Sequence, residues 1–322
     1  MNAPPHHDDE DDNEQVFLDE SDIIHEVAMD NEDLPDADDD SELGELYSVS
    51  CSPTDAALVV TGSGDDRGFL WKIGQGDWAF ELQGHEESVS TLAFSYDGQQ
   101  LASVSLDGII KVWDVSGNLE GRNFEGPGGG IEWLRWDPRG HRLLAGSEDF
   151  SIWMWNTDNA ALLKTFIGHG NSVTCGDFTP DEFGIQKVEK ALMLCRVVDN
   201  NALASHSDSI ECVGFAPSGS WAAVGGMDKK LIIWDIEHLL PRGTCEHEDG
   251  VSCLAWLGAS YVASGCVDGK VRLWDSRSGK CVKTLKGHSD AIQSLSVSAN
   301  HDYLVSASVD GTACAFEVEN FR

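Results

Sequence analysis

Histidine, serine and aspartate recur in this sequence at spacings that could bring them together for nucleophilic catalysis. Asp107 follows Ser103 by four residues and His85 by 22, and Trp113 comes six residues after Asp107. A serine that a histidine activates and an aspartate orients is the arrangement of a hydrolase. The same side chains also have a structural use, because a buried network of His, Ser, Asp and Trp satisfies its own polar groups.

This grouping recurs along the chain, whereas an active site normally occurs once. We therefore interpret it as a structural network, and we predict a protein without catalytic residues, without a metal site and without a cofactor. The predicted network residues are His85, Ser103, Asp107, Trp113, Asp149, Trp155, His206, Asp228, Trp234, His247, Ser264, Asp268, Trp274, His288, Ser306 and Asp310.

The elements that position these residues repeat with a period of about 40 residues. Residues 101–114 and 261–275 each show an apolar strand, an Asp-Gly turn and a second strand that ends in Trp-Asp. In every such unit an aspartate lies six residues before an aromatic anchor. The anchors are Trp71, Trp113, Trp155, Trp234, Trp274 and Phe316. Short strands joined by tight turns at this period predict an all-β propeller in which each unit is one blade.

The fourth unit departs from this pattern. It begins normally, but its turn and its Trp-Asp strand do not follow, and the interval from Trp155 to Trp234 is 79 residues, or two repeats. We interpret 182–204 as an irregular segment in which Cys195 is a degenerate anchor. The prediction for residues 47–322 is a β-propeller of about seven blades with a degenerate fourth blade. A broken eight-blade ring with exposed strand edges is the alternative.

Residues 1–46 carry much of the negative charge. They hold 19 Asp and Glu and no Lys or Arg, in a chain with a net charge of −35. Such a composition predicts an acidic and largely disordered tail. Within it, residues 23–29 are apolar enough to pack on the folded body, and the last unit lacks an outer strand. Two interpretations stay open: the segment closes the last blade as a strand, or it forms a short helix or an unstructured motif.

The composition excludes several classes of protein. Hydrophobic residues make up 41% of the 322 residues, yet no apolar run approaches the ~20 residues that span a membrane. The N-terminus is polar and acidic, unlike a signal peptide. Residues 47–322 keep a net charge of −16, which disfavours direct nucleic-acid binding and favours basic partners. We expect a soluble, monomeric protein of the cytoplasm.

The nine cysteines include no C-x-x-C pair. Five of them lie in apolar, strand-like runs: Cys51, Cys175, Cys212, Cys253 and Cys314. We expect reduced, buried thiols, as in a cytosolic or nuclear protein.

Five stretches carry a family signal beyond the repeats. They are VFLDESDII at 16–24, DLPDADDD at 33–40, GIEWLRW at 130–136, GSED at 146–149 and GGMDKKLIIWD at 225–235. In these stretches the chain resembles WD-repeat proteins and, more narrowly, the angio-associated migratory cell protein family in a plant-like version. The resemblance fails at about 182–196, where about one repeat is missing. We interpret this junction as a genuine isoform or as a gene-model artefact.

The resemblance implies a non-enzymatic scaffold of the cytoplasm, and partly of the nucleus, with roles in signalling and cell migration. A fungal relative serves as a dedicated chaperone of a newly made basic protein of the large ribosomal subunit. For this chain we therefore expect a scaffold or chaperone that binds a basic protein segment, such as that of a ribosomal protein, in ribosome biogenesis or in signalling.

A propeller usually binds its partner at one rim of the central channel. Two sets of positions should line that rim: the residue before each turn aspartate, and the start of each inner strand. Carboxylates and apolar side chains occur together there, which suits a basic segment that carries hydrophobic residues. The predicted partner-binding residues are Tyr47, Leu106, Glu132, Trp133, Glu148, Glu211, Met227, Val267 and Val309.

Two other interpretations remain open. Residues 274–277 (WDSR) resemble the short box through which some WD-repeat proteins dock on the adaptor of a cullin-type ubiquitin ligase, whose substrate receptor this chain would then be. An ordinary blade end with a solvated Arg277 gives the same pattern. Alternatively, the missing repeat leaves an unstable truncated isoform without a function of its own.

Overall fold

Antiparallel β-sheets arranged around a central channel make up the structure. This computed structural model describes residues 23–28, 44–75, 78–115, 121–124, 126–127, 129–167, 174–178, 206–238 and 240–321. Within these residues there are six sheets of four strands each, and every sheet is one blade. The innermost strands of neighbouring blades contact each other, except between blades 3 and 4, and the blades surround the channel side by side. No helix in this part of the chain has the length and hydropathy needed to cross a membrane.

The strands run outward from the channel in chain order within each of blades 1 to 5. Their bounds, blade by blade, are β2 (Leu46–Cys51), β3 (Leu58–Ser63), β4 (Gly68–Lys72), β5 (Trp78–Leu82); β6 (Val89–Phe94), β7 (Gln100–Ser105), β8 (Ile110–Asp114), β9 (Gly121–Phe124); β10 (Ile131–Trp136), β11 (Arg142–Ser147), β12 (Ser151–Asn156), β13 (Ala161–Ile167); β14 (Ile210–Phe215), β15 (Trp221–Gly226), β16 (Lys230–Asp235), β17 (Leu240–Glu246); β18 (Val251–Leu257), β19 (Tyr261–Cys266), β20 (Val271–Asp275) and β21 (Lys280–Leu285).

Blade 6 takes its outer strand from the other end of the sequence. It consists of β22 (Ile292–Val297), β23 (Tyr303–Ser308), β24 (Thr312–Glu317) and, at its outer edge, β1 (Ile23–Ala28), and a short 3-10 helix follows at Glu319–Phe321. β1 pairs antiparallel with β24, with Ile23 opposite Phe316 and Ala28 opposite Thr312. The rest of the predicted acidic tail, 1–22 and 29–43, lies outside the described residues.

The second strand of each blade is buried on both faces, because a neighbouring blade packs against each side. In β15 every residue after Trp221 is buried, and the strand is built from Ala, Val and Gly. A Cβ added at Gly225 would lie 2.6 Å from Cys212 Sγ and 2.7 Å from Val251 Cγ1. Small residues are therefore required here, since the next blade packs directly onto the strand backbone.

The predicted number of about seven blades is wrong for the residues that the structure describes, which form six. Of the degenerate fourth unit the structure describes residues 174–178, and these pair with no second strand among the described residues. The physical reason is that this unit lacks the turn and the Trp-Asp strand with which the other units fold back on themselves. The irregular segment 182–204, with its anchor Cys195, lies outside the described residues.

Residues 174–178 nevertheless occupy an inner-strand position between blades 3 and 4. Thr174 Oγ1 donates to the Ile210 carbonyl at 3.0 Å, as Ser90 Oγ donates to the Ile131 carbonyl at 2.8 Å between blades 2 and 3. On the other side, Gly176 packs against the Trp133 ring.

A second contact between residues 174–178 and blade 4 matches a contact between the inner strands of blades 1 and 2. Asp177 Oδ2 accepts from the Phe215 N–H at 3.1 Å, and Ser50 Oγ accepts from the Phe94 N–H at 3.3 Å at the matching place between blades 1 and 2. Six blades and this single extended segment therefore occupy seven positions around the channel.

Candidate functional site

One end of the channel carries the turns that join the second and third strands of the blades. Ahead of each turn aspartate, one residue donates its backbone N–H to the carbonyl just before an inner strand, at 2.9–3.1 Å. The donors are Gly64, Leu106, Glu148, Met227, Val267 and Val309. We call these six residues and the adjoining starts of the inner strands the rim. The four predicted residues Glu148, Met227, Val267 and Val309 all lie there.

The inner strands enclose a channel of about 670 Å³. Five of the predicted partner-binding residues line it: Tyr47, Leu106, Glu132, Trp133 and Glu211. Trp133 is only 5% exposed and packs in a cluster with Leu144, Met154 and Phe178. Its ring therefore holds blade 3 against the segment 174–178 and offers little surface to a partner.

Glu132 lies close enough to two other carboxylates of the rim to be repelled by both. The pKa of Glu132 is raised by burial and then by the negative charges of Glu148 and Glu211. Glu148 extends toward Gly130, since its Oε2 lies 3.1 Å from the place a Cβ there would take. In the part of the chain that the structure describes, none of the three forms an ion pair. The arrangement favours a cation between them.

A fourth carboxylate, Glu45, lies just before the inner strand of blade 1. Tyr47 Oη donates to Glu45 Oε2 at 2.5 Å, and this hydrogen bond, with burial and the charge of Glu45, raises the pKa of Tyr47 to about 12. The tyrosine is therefore a neutral donor at every physiological pH. Gly64 leaves room for the ring, because a Cβ there would lie 3.3 Å from Tyr47 Cε2.

Apolar side chains stand exposed on the same rim. Leu106 is 45% exposed, Met227 37% and Val267 36%. Met227 and Val267 converge over Gly250, where a Cβ would collide with the Met227 sulfur. Phe150, in the turn after Glu148, is 43% exposed and was not among the predicted residues. Its sequence signal is an aromatic residue in the place where Asp107 and Asp268 are followed by glycine.

The predicted network is complete in blade 2. His85 Nε2 lies 2.8 Å from Ser103 Oγ, His85 Nδ1 lies 3.3 Å from Asp107 Oδ2, and Trp113 Nε1 donates to Ser103 Oγ at 3.0 Å. Ser103 is 1% exposed. A serine that is buried and hydrogen-bonded to an indole cannot reach a substrate, so the grouping stabilises the blade.

Blades 5 and 6 keep the His–Ser contact, but in each of them one other member of the network differs from blade 2. His247 lies 2.8 Å from Ser264, but Asp268 binds Arg272 at 2.6 Å in place of the histidine. Trp274 Nε1 donates to Ser264 at 2.9 Å. In blade 6, His288 lies 2.6 Å from Ser306 and 3.1 Å from Asp310, and Phe316 takes the anchor position without a donor.

Blades 3 and 4 have no serine at the central position. In blade 4, His206 lies 2.8 Å from Asp228, but Val224 replaces the serine. As a result His206 Nε2 and Trp234 Nε1 are buried without a partner among the described residues. In blade 3, Asp149 binds Ser151 and the buried Trp155 packs in the core between blades.

The cysteines that the structure describes form no disulfide. Burial raises the pKa of Cys51 and Cys253 to about 12, and it also raises the pKa of Cys212. Such thiols stay protonated and unreactive. No group of three or more His, Cys, Asp or Glu side chains able to hold a metal ion occurs in the described ranges.

The box at 274–277 forms an ordinary turn at the channel end opposite the rim. Asp275 Oδ1 accepts the N–H groups of Arg277 and Ser278, and Asp235 accepts those of Glu237 and His238 in blade 4 in the same way. The geometry gives Arg277 no feature that the matching turn lacks.

Comparison with known proteins agrees with this architecture. The family model described as "WD domain, G-beta repeat" matches five segments, 76–114, 120–156, 199–235, 240–275 and 279–317. The chain is therefore a WD-repeat protein with a β-propeller fold, a class that generally provides non-catalytic scaffolds for protein interaction.

Comparison with individual proteins identifies the family within this class. The chain is 30% identical to the angio-associated migratory cell protein of Homo sapiens over 353 aligned residues, which cover 87% of this chain and 81% of the relative, and the protein of Canis lupus familiaris gives the same identity. It belongs to that family. The nuclear distribution protein nudF of Aspergillus niger is 26% identical over 72% of this chain and 59% of its own length.

Proposed function

We propose that this protein is a scaffold or chaperone that binds a basic protein segment at the rim. The observation that carries the proposal is Glu132, which lines the channel with Glu211 and is repelled by the charges of Glu148 and Glu211. A cationic side chain would relieve that repulsion. The exposed Met227 and Val267 supply apolar contact beside it.

The charge of the whole chain supports the same partner. A net charge of −35 attracts basic segments from a distance and speeds their encounter with the rim. A newly made ribosomal protein is one source of such segments, and a signalling partner in cell migration is another. The first would use the protein as a chaperone and the second as a scaffold.

A binding experiment tests the rim directly. The probe is a fluorescently labelled basic peptide of mixed Arg, Lys and Leu residues, and the variant carries Glu132→Gln, Glu148→Gln and Glu211→Gln together. We expect about tenfold weaker binding at low salt, since each exposed charge pair contributes about 0.5 kcal/mol.

The matched control changes three carboxylates at the opposite end of the channel. Glu237, Glu317 and Glu319 lie in turns or strand ends there, so their change to glutamine alters the net charge equally. If the control weakens binding as much as the rim variant, attraction by net charge explains the result and the rim is not the site.

A further inference from the structure

The outer half of blade 5 carries a concentration of positive charge. Residues 270–286 hold six of the 21 Lys and Arg of the chain and a single acid, although the net charge of the whole chain is −35. Near the rim, Lys270 and Arg272 bind the carboxylates of Glu248 and Asp268. Three lysines follow along the outer strand and just beyond its end: Lys280, Lys283 and Lys286. We call these three lysines the basic edge.

The basic edge sets β21 apart from the outer strands of the other blades. β21 contains two of the three lysines, whereas the five other outer strands that the structure describes contain one lysine in total, Lys164 of β13. A lysine on a strand edge prevents pairing with other chains. Since the other blades have fewer, that purpose alone does not account for the basic edge. Lys280 and Lys286 are exposed, so their charges are accessible to an acidic partner.

The N-terminal segment of the chain enters the fold beside the basic edge. β1 begins at Ile23, which packs in the same cluster as Leu285, the last residue of β21. A Cβ added at Gly287 would lie 2.7 Å from Ile23 Cδ1, so the start of β1 touches the chain one residue beyond Lys286. The residues that precede Ile23 therefore start next to blade 5.

The charges of this segment are complementary to the basic edge. Residues 8–22, which lie outside the described residues, hold nine Asp and Glu and no Lys or Arg. Blade 6 repels them, because residues 287–321 hold five Asp and Glu and no Lys or Arg. On its other side, the two cations of blade 1, Arg67 and Lys72, form ion pairs of their own at 3.2 and 3.0 Å. Of the two blades that flank blade 6, blade 5 therefore attracts the acidic segment more strongly.

We propose that residues 8–22 dock on the basic edge, so that the chain binds its own acidic segment on the outside of blade 5. The length suffices, since these 15 residues span up to about 50 Å when extended and the six-residue β21 spans about 20 Å. Val282, 43% exposed within β21, offers apolar contact to the Val-Phe-Leu run at 16–18. This inference does not depend on binding at the rim.

Proteolysis of the intact chain tests the docking. A glutamate-specific protease cuts after Glu14 and Glu20, and mass spectrometry follows both cuts. The variant carries Lys280→Gln, Lys283→Gln and Lys286→Gln together. We expect both cuts to be about five- to tenfold faster in this variant at low salt, because cleavage follows the undocked population and three exposed ion pairs no longer reduce it.

The matched control removes the same charge from the third strands of other blades. It carries Lys72→Gln, Lys111→Gln and Lys230→Gln, from β4, β8 and β16. The control should be cut at the rate of the parent protein, and melting temperatures verify that both variants fold. Equal acceleration in the control would assign the effect to net charge and overturn the docking.

Cross-linking identifies what occupies the basic edge. A carbodiimide joins carboxylates to lysines without a spacer, and it is applied to a mixture of isotopically labelled and unlabelled parent protein. We expect cross-links from residues 8–22 to the basic edge within single chains. Cross-links between labelled and unlabelled chains would show that a second copy supplies the acids. Equal cutting of the parent protein and the basic-edge variant would leave the edge to a different acidic partner. Either result overturns docking of the chain's own segment, and neither affects the proposal for the rim.

Discussion

The hydroxyl of Ser103 shows how one small side chain holds a blade together. It contacts both His85 Nε2 and Trp113 Nε1 in a dry interior. Blade 4 shows the result of its loss, since Val224 leaves His206 Nε2 and Trp234 Nε1 without partners among the described residues. A buried polar group without a partner costs more than the hydrogen bond itself contributes.

Replacing this serine should therefore destabilise the folded protein. We expect Ser103→Ala to lower the free energy of unfolding by about 2–3 kcal/mol, because it leaves an imidazole and an indole nitrogen unsatisfied. Chemical denaturation measures the change. The reverse swap, Val224→Ser, should alter stability by less than about 1 kcal/mol, since new hydrogen bonds offset lost apolar burial. A Ser103→Ala protein as stable as the parent would contradict this account.

His141 joins two blades through its charge. Its Nδ1 lies 2.6 Å from Asp158 Oδ1 and its Nε2 lies 3.0 Å from Asp97 Oδ2, at the channel end opposite the rim. Both oxygens accept, so both nitrogens donate and the ring is an imidazolium. Burial alone would lower the pKa of His141, but the hydrogen bonds to Asp158 and Asp97 outweigh it and raise that pKa.

The stability that the His141 bridge contributes depends on pH. A raised pKa means that the bridge contributes its full stability below the unfolded value of about 6.5 and loses it as pH rises through the folded pKa. We expect the melting-temperature gap between the parent and His141→Gln to be largest at pH 6 and to shrink toward pH 9. A gap that widens with pH would refute the bridge.

The residue types of the network were predictable from repetition, and their partners were not. Repeats placed His247 and Asp268 correctly in one blade, but whether they bond to each other depends on Arg272, which the pattern does not specify. Phe150 was not predicted at the rim, because the turn motif favours glycine at that position and gives no information about a residue that replaces it.

At the scale of elements, packing of apolar side chains holds β1 at the outer edge of blade 6. Ile23 packs in the cluster that contains Phe316, and Val27 packs against the cluster that contains Val305. Glu26 points to solvent. An isolated strand has little stability of its own, so these two apolar side chains hold it on β24.

Shortening those side chains tests this dependence. Ile23→Ala with Val27→Ala should lower the free energy of unfolding by about 2 kcal/mol, the cost of removing partly buried methyl groups. Glu26→Ala is the control and should have little effect. Hydrogen exchange at β24 amides should accelerate in the double variant alone; unchanged exchange would mean that β1 adds no protection.

At the scale of the whole molecule, residues 174–178 are the part of the predicted fourth blade that the structure describes. Repeat spacing predicted about seven blades, but it could not show that the described residues form only six four-stranded sheets. The count of sheets depends on whether each inner strand finds a second strand, and the altered sequence after Asp181 removed that signal. The rim followed from the same repeats, because equivalent turns meet at one end of the channel.

Asp177 provides a test of the ring. We expect Asp177→Ala to lower the free energy of unfolding by about 1–2 kcal/mol, since the Phe215 and Phe178 N–H groups lose their acceptor. Ser50→Ala removes the matching acceptor between blades 1 and 2 and should cost a similar amount. If Asp177→Ala costs nothing while Ser50→Ala does, residues 174–178 do not hold blades 3 and 4 together.

Because β1 pairs with β24, blade 6 cannot be completed until the last strands of the chain have been synthesised. β1 ends at Ala28 and its partner begins at Thr312. At about 5–20 residues per second, a ribosome needs on the order of 15–60 s to make the chain between them. Through that interval β1 has no β24 edge to join. The 19 acidic residues within positions 1–46 give the waiting segment a charge that opposes aggregation until the last blade emerges.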